Sequence, residues 1–273
     1  MNYTIMHHEE QGGTTVPEHT QFIITTPPQY MSEATSHGLP VAYMAYRIGQ
    51  NLNLLRANMS FHLRAGLMVI HHSGFDGKGD VTNFCRQVIR ECSVRNFDGI
   101  ILDFEGAPHP TLEQVVNKLA SITTPRGWPL YVPEEYAHVS KLTRVMIPSA
   151  LSGGSLSQRL EDAIQCYGTH RVALAIQRVA EDFTLPAHNG CGTPLTQDEL
   201  KQRIQSRGPS IYFSDELCAH YFTYVTPSNG AHFVLFDNAS SIKRKIQLAK
   251  SKQICACILA WPEVEHIINE ILR

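Results

Sequence analysis

A short apolar segment that ends in two acids decides the fold of this chain. Residues 97–106 read FDGIILDFEG. Residues two apart in a β-strand point to the same side, so Ile101, Asp103 and Glu105 share one face of this segment. Both acids come at its C-terminal end, after an apolar stretch of the kind found in strands covered on both faces. The segment therefore predicts a parallel β-strand that carries two carboxylates to one edge of a sheet.

Seven further apolar runs predict the rest of the sheet. Eight runs separated by amphipathic stretches are typical of an α/β fold in which eight parallel strands close into a (β/α)8 TIM barrel. Catalytic groups of such barrels lie at the mouth formed by the C-terminal ends of the strands. We therefore expect residues 1–273 to form a single TIM-barrel domain. The runs lie at residues 21–25, 41–46, 67–70, 99–104, 130–132, 145–148, 172–176 and 255–261.

Capping residues indicate where the barrel helices begin. Asp80 is followed by apolar residues at helical spacing, which predicts that it caps a helix. Thr111 begins a capping-box pattern, and Ser241 precedes another amphipathic stretch. We expect these three residues to be the N-caps of three barrel helices.

One interval is too long for a single connecting helix. About 75 residues separate the seventh and eighth runs, whereas αβ connections in barrels need far fewer. We predict an inserted α+β lobe between barrel strands seven and eight, spanning residues 184–236 at the barrel mouth, where lobes usually shape a binding cleft. An insertion without a role in binding is the alternative. Its expected parts are a Gly- and Pro-rich segment at 186–194, a helix at 196–205 and strands at 210–213, 221–225 and 233–236.

The composition excludes several classes of protein. With 23 basic and 25 acidic residues, a formal net charge of −2 and 43% hydrophobic residues, the chain has the balance of a globular domain. It has no basic excess to neutralise phosphates, so we expect no nucleic-acid partner. No apolar run is long enough to predict a membrane span. Residues 1–10 lack the basic head and apolar core of a classical signal peptide, which favours a cytoplasmic location with reduced thiols.

The acidic segment resembles a known family signature. Residues 98–105, DGIILDFE, resemble the Asp-Gly-x-Asp-x-Asp-x-Glu motif of family 18 glycoside hydrolases, which include chitinases, endo-N-acetylglucosaminidases and spore-wall relatives. Ser73 and Gly74 fall where the family often has a Ser-x-Gly-Gly turn. Asp237 lies in a segment that resembles the acid-rich turn before the last barrel helix. Trp261 matches the tryptophan that forms the floor of the sugar pocket.

The resemblance implies hydrolysis of glycans that contain β-linked N-acetylglucosamine, such as chitin, peptidoglycan strands or N-glycans, without a cofactor or metal. Glu105 would protonate the glycosidic oxygen, and the substrate's own 2-acetamido oxygen would attack the sugar. Asp103 would orient that acetamido group, and Trp261 would stack on the sugar. The same motifs assign Asp98 and Ser73 to substrate binding.

Two positions depart from the family pattern. The middle acid of the motif is Ile101, so Asp103 lacks its usual neighbour. The sixth run, residues 146–149, reads MIPS where the family often has Met-x-Tyr-Asp, so Pro148 replaces a tyrosine that holds the acetamido group. Losing such a preorganised donor can cost about 3 kcal/mol, or roughly a hundredfold in rate. The candidate replacements are Tyr43, which we assign to substrate binding, Tyr136 and Tyr212.

A hydrolase is the function that the sequence favours, because a protein that only bound sugar would not need the proton donor Glu105. The alternative is a catalytically silent, chitinase-like protein that binds glycan or forms part of a spore layer, as Ile101, Pro148 and Ser149 would suggest. Either protein would be cytoplasmic or spore-associated.

A third interpretation is a barrel enzyme of another class. Asp103 and Glu105 could bind a divalent metal together with His71 or His72. Sensitivity of the activity to metal removal would distinguish this class, because substrate-assisted hydrolysis needs no metal.

Overall fold

The structure is a computed structural model that describes residues 20–58, 65–151, 153–186, 192–227 and 230–272. The signal-peptide prediction at residues 1–10 lies outside these ranges. Within them, no helix is both long and apolar enough to cross a membrane. The strands are β1 Gln21–Thr26, β2 Val41–Gly49, β3 Asn53–Arg56, β4 Leu67–His71, β5 Gly99–Asp103, β6 Leu130–Pro133, β7 Arg144–Pro148, β8 Val172–Ile176, β9 Ala180–Leu185, β10 Thr193–Pro194, β11 Tyr212–Ser214, β12 Ala219–Thr226, β13 Gly230–Phe236 and β14 Ala256–Ala260. The helices are α1 Met31–Thr35, α2 Val81–Arg95, α3 Pro110–Thr123, α4 Leu156–Tyr167, α5 Gln197–Arg207, α6 Ala239–Ser251, α7 Trp261–Val264 and α8 Ile268–Ile271.

Eight parallel strands close into a barrel. Their order is β1-β14-β8-β7-β6-β5-β4-β2, and a pairing between β1 and β2 completes the circle. Each of the eight apolar runs overlaps one barrel strand, so the predicted TIM barrel is confirmed. The short strand β3 runs antiparallel to β2 at the rim.

Side chains of the barrel strands alternate between the interior and the layer under the helices. In β5, Ile101 packs in the interior with Val69 and Tyr131, whereas Leu102 belongs to the outer cluster. The same alternation directs Asp103 to the interior side. Since β5 ends at Asp103, this residue reaches the barrel mouth.

The helix caps follow local hydrogen bonding. Asp80 caps α2 as predicted, and its carboxylate accepts from two amides of the first turn. The other two predictions are wrong by two or three residues. His109, rather than Thr111, caps α3, because the proline that follows it needs no donor partner in the first turn. Asn238 caps α6 and accepts from two amides, while Ser241 occupies the third position of its capping box.

A second sheet lies between β8 and β14 along the chain. Its five strands are antiparallel in the order β10-β9-β13-β12-β11, and α5 packs against it through Leu200 beside Phe222 and Val234. The sheet begins at Ala180, before the expected boundary at residue 184, because β9 pairs with β13 along its whole length. Glu181 and Asp182 interrupt the apolar pattern of this strand, so the sequence does not show it as an apolar run. We call residues 180–236 the lobe.

Candidate active site

The carboxylate of Asp103 is held by a histidine from the neighbouring strand. The register of β4 on β5 places His71 beside Asp103, so both side chains face the mouth. His71 Nδ1 lies 2.8 Å from Asp103 Oδ2, and the two side chains are 31% and 34% exposed. The imidazole is the donor, because a carboxylate can only accept. In the family signature, the neighbour of this aspartate is the acid at the position of Ile101. In this chain, the partner of Asp103 is His71 of the adjacent strand.

The surroundings of His71 favour its charged form. The hydrogen bond to Asp103 raises the pKa of His71 above its ordinary value, while partial burial lowers it. The negative charges of Asp103 and Glu105 add to the rise in pKa. The pair thus keeps imidazolium–carboxylate character to a higher pH than a free histidine would, and such charge-assisted hydrogen bonds are the stronger kind.

Glu105 lies two residues beyond β5 and is exposed. Its backbone amide donates to His72 Nδ1 at 3.3 Å, and the His72 ring packs edge-on against Phe104 at 6.1 Å. Gly106 follows with φ 77°, a conformation that glycine adopts at no steric cost. The backbone at Glu105 is therefore held by a hydrogen bond while the residue stays exposed at the end of β5.

Ser73, which the motif assigns to substrate binding, lies two residues after His71. It is exposed in the turn after β4 and lines a cleft of about 450 Å³ together with Arg47 and His71. This turn approaches β2 closely: a Cβ at Gly74 would lie 2.5 Å from the carbonyl oxygen of Ile48. Glycine at this position thus allows the turn to lie against the end of β2.

Asp98 and Tyr43, which were assigned to substrate binding, do not reach the mouth, so the structure does not bring them together with Asp103 and Glu105. Asp98 precedes β5, at the opposite end of the barrel, where its carboxylate accepts from the Gly66 amide at 3.3 Å. Tyr43 packs in the outer layer at 7% exposure, with its ring 5.9 Å from Phe97. Burial raises the pKa of Tyr43. The direction of β5 and the outward face of β2 at Tyr43 account for both positions.

Trp261 follows β14 at the mouth but presents no face to a ligand. It is 2% exposed and packs among the apolar side chains of the outer layer, with its ring 5.3 Å from that of His37. Its indole Nε1 is buried and has no hydrogen-bond partner within the described part of the chain. As placed here, the indole is not available to stack on a sugar.

The end of β7 shows what replaces the family's tyrosine. Pro148 is exposed at the mouth and has no donor to offer. Ser149 is 1% exposed, and its hydroxyl accepts from the Gln177 amide at 3.0 Å, which ties the end of β7 to that of β8. The end of β7 therefore carries an exposed proline and a buried serine that joins two strands.

The other candidate tyrosines are also engaged elsewhere. Tyr136 packs in the outer layer at 1% exposure, and its hydroxyl accepts from the His109 amide at 3.3 Å. Tyr212 lies on lobe strand β11, stacked on Tyr221 at 5.6 Å. Neither Tyr43 nor Tyr136 can take the place of the missing donor.

The side chains of the alternative metal interpretation have other partners in the structure. His71 is engaged by Asp103, and His72 by the backbone of Glu105. Across the described ranges, no group of three or more His, Cys, Asp and Glu side chains is placed to hold a metal ion.

The positions of two residues at the mouth, His71 and Arg47, were not predicted from the sequence. His71 was considered only as a metal ligand, although a polar residue at the end of a strand next to β5 is a natural partner for Asp103. Arg47 follows the second apolar run and gave no signal, because a charged residue after a strand usually faces solvent.

Comparisons with known proteins agree with the fold. No protein-family profile matches the sequence, and no curated protein does. The spore cortex-lytic enzyme SleL of Bacillus megaterium has a TM-score of 0.63 at 14% identity, over 89% of this chain and 71% of that one. A chitinase from Chromobacterium violaceum has 0.62 at 15%, over 88% and 93%. The GH18 chitinase of Cycas revoluta, in complex with (GlcNAc)3, has 0.61 at 15%, over 93% and 97%. The chain thus has the fold of family 18 chitinases and spore glycosylases, as its motif indicated.

Proposed function

We propose that this protein is a glycoside hydrolase that cleaves glycans containing β-linked N-acetylglucosamine, such as chitin, peptidoglycan strands or N-glycans. The arrangement at the end of β5 carries the proposal: Asp103 is held by His71, and Glu105 stands exposed two residues further on. The chitinase fold of the barrel supports the same reaction class. The glycan is the partner, and no metal or cofactor takes part.

In the proposed reaction, Glu105 donates its proton to the glycosidic oxygen as the bond to the sugar breaks. The 2-acetamido oxygen of the same sugar attacks the anomeric carbon and forms a cyclic intermediate. Asp103 accepts a hydrogen bond from the acetamido N–H and faces the positive charge that develops on the acetamido group. Glu105 then removes a proton from the water that opens the intermediate, which restores both the acid and the sugar.

His71 gives Asp103 the orientation that this reaction requires. With one carboxylate oxygen held at 2.8 Å by His71, the other oxygen is free for the acetamido group. His71 is thus a positioning residue that compensates for Ile101. This compensation favours a hydrolase over a silent relative, since a protein that only bound sugar would need neither the anchored Asp103 nor an exposed Glu105.

The silent, glycan-binding alternative is supported by Pro148 and by the burial of Trp261. We expect the missing tyrosine donor to slow the reaction by about a hundredfold without abolishing it. A cytoplasmic or spore-associated site of action belongs to the proposal, and the spore enzyme SleL among the structural neighbours fits it.

The test is direct hydrolysis. Purified protein and its Glu105→Gln variant are incubated with chitin oligosaccharides and peptidoglycan fragments, with and without EDTA. We expect cleavage by the natural protein that survives EDTA and is lost in the variant. If neither protein cleaves any glycan and both bind sugar equally, the silent alternative replaces the hydrolase. Cleavage that EDTA removes and a divalent cation restores would favour the metal enzyme.

A further inference from the structure

Arg47 belongs to the same row of side chains as the Asp103 pair. The register of β2 on β4 places Arg47 beside His71, and that of β4 on β5 places His71 beside Asp103. Paired residues of parallel strands face the same side, and neighbouring strands are about 4.8 Å apart. The three side chains therefore lie next to one another across the mouth, with Arg47 two strands away from Asp103.

The guanidinium of Arg47 is free to bind an anion. The residue is exposed, and its Nη1 lies 3.0 Å from where a Cβ on Gly74 would stand, so it extends over the turn that carries Ser73. Among the described ion pairs, Arg56 in the same cleft is bonded to Glu91 at 3.5 Å, whereas Arg47 has no carboxylate partner. Of the two arginines that line the described part of this cleft, Arg47 is therefore the one left for a ligand.

The cleft itself suits an acidic sugar. Its volume of about 450 Å³ falls within the range of small-ligand sites. Among the described residues, no aspartate or glutamate lines it, so these walls carry no charge that would repel a carboxylate. Ser73 and Asn58 add neutral donors. A planar guanidinium pairs with a carboxylate through two parallel hydrogen bonds, a geometry that neutral sugar hydroxyls do not require.

We propose that this cleft binds, through Arg47, the carboxylate of a sugar adjacent to the N-acetylglucosamine that is cleaved. The substrate would then be an amino-sugar polymer with a carboxylate on alternate sugars, rather than a neutral one. This inference rests on the proposed function, because it takes Asp103 and Glu105 as the point of cleavage. The carboxylate could belong to the lactyl ether of peptidoglycan strands or to a uronic acid.

The first arm of the test measures kcat/KM on five substrates. These are peptide-free peptidoglycan strands, a copolymer of N-acetylglucosamine with uronic acid, the carboxyl-reduced form of each, and chitin oligosaccharides. The Arg47→Gln variant is compared with the natural protein and with Arg86→Gln, which removes an exposed arginine of α2 outside the cleft. The peptidoglycan and uronic-acid arms distinguish the two sources of the carboxylate.

We expect Arg47→Gln to lower kcat/KM on one of the acidic polymers by about tenfold to a hundredfold, the scale of a hydrogen bond to a charged group. Reduction of the substrate carboxyl should cost the natural protein the same factor and cost Arg47→Gln nothing further. Hydrolysis of chitin oligosaccharides should change by less than about threefold, and Arg86→Gln should behave as the natural protein does.

The second arm measures binding, so that failure of this inference can be told from failure of the proposed function. Dissociation constants are measured by calorimetry in Glu105→Gln, with and without Arg47→Gln. A preference for the acidic polymer that disappears with Arg47 supports the inference even if the natural protein hydrolyses nothing. Equal hydrolysis of the acidic and carboxyl-reduced polymers overturns the inference and leaves the proposed function intact. Absence of both hydrolysis and binding for every glycan overturns both.

Discussion

Two histidine–aspartate pairs in this molecule have nearly the same length and opposite surroundings. At the barrel mouth, His71 Nδ1 lies 2.8 Å from Asp103, and the side chains are 31% and 34% exposed. In the lobe, His232 Nδ1 lies 2.9 Å from Asp182, and the side chains are 9% and 5% exposed. The contact is the same, but only the pair at the mouth can meet a ligand.

The lobe pair is enclosed by further partners. Asp182 Oδ2 accepts from the Tyr224 hydroxyl at 2.6 Å and lies 3.3 Å from Arg203 Nε. The ring of His232 stacks on that of Tyr224, with centroids 4.5 Å apart and planes at 4°. These contacts connect β9, β12, β13 and α5. Exposure therefore separates a pair suited to activity from a pair suited to holding the lobe together.

The largest effect that we expect concerns activity at the mouth. Glu105→Gln should lower the rate of hydrolysis by about 10²–10⁴-fold, the usual contribution of a general acid. The temperature of half-unfolding should stay the same, because the side chain is exposed. Hydrolysis assays and thermal unfolding of the two proteins test this. A variant that kept full activity would remove Glu105 from the mechanism.

The lobe should respond through stability instead. Asp182→Ala removes the acceptor shared by His232, Tyr224 and Arg203, and leaving buried donors unsatisfied costs about 1–3 kcal/mol. Urea unfolding, followed by circular dichroism and by hydrogen exchange of the lobe strands, measures the loss. Asp103→Ala is the matched control and should cost less than about 1 kcal/mol, because its pair is partly exposed. Equal costs at the two sites would contradict the comparison.

The two histidines provide a finer contrast. His71→Asn should lower kcat about tenfold or more, on the scale of a charged hydrogen bond, with little change in KM. His232→Asn should destabilise the lobe and leave the kcat of the folded protein unchanged. Steady-state kinetics, corrected for the folded fraction of each variant, separate these outcomes. A fall in kcat for both variants, or for neither, would show that exposure does not divide their roles.

The smallest effect is the pH dependence of stability at the mouth. The hydrogen bond to Asp103 raises the folded-state pKa of His71 above its ordinary value of 6.5. The stabilisation is therefore fully present below that value and is lost as the pH rises through the folded-state pKa. As the pH rises, we expect the difference in unfolding free energy between the natural protein and His71→Asn to shrink. The change should be less than about 1 kcal/mol, because the pair is partly exposed. Urea unfolding at acidic and alkaline pH measures it, and a difference that grew with pH would reverse the assignment.

Local patterns predicted the barrel and the acids at its mouth. Each run of apolar residues became a strand because it is short and continuous, as strands buried on both faces are, whereas the helices have longer amphipathic patterns. Asp103 and Glu105 followed from the two-residue period of β5 and from its direction. Strand β9 was missed because Glu181 and Asp182 break its apolar pattern, and the partners of the buried Asp182 are distant in the chain.

Contacts between side chains of different strands could not be predicted from local sequence patterns. His71 and Asp103 are 32 positions apart in the chain, and only the register of β4 on β5 brings them together. Tyr43 was chosen as a tyrosine near the end of an apolar run, whereas the alternation of β2 directs it to the outer layer, with Val41. Trp261 is at the expected strand end, but packing against the outer layer turns its ring away from the mouth.

The sequence by itself determined that eight strands form, in which direction they run and which acids stand at the end of the fifth. These properties depend on steric periodicity and burial over a few neighbouring residues. Only the tertiary structure decided that His71 holds Asp103, that Arg47 joins their row and that the lobe buries a second pair of the same chemistry. Those contacts are set by strand register and barrel closure. Both depend on the simultaneous pairing of all strands and bring together residues that are far apart in the chain.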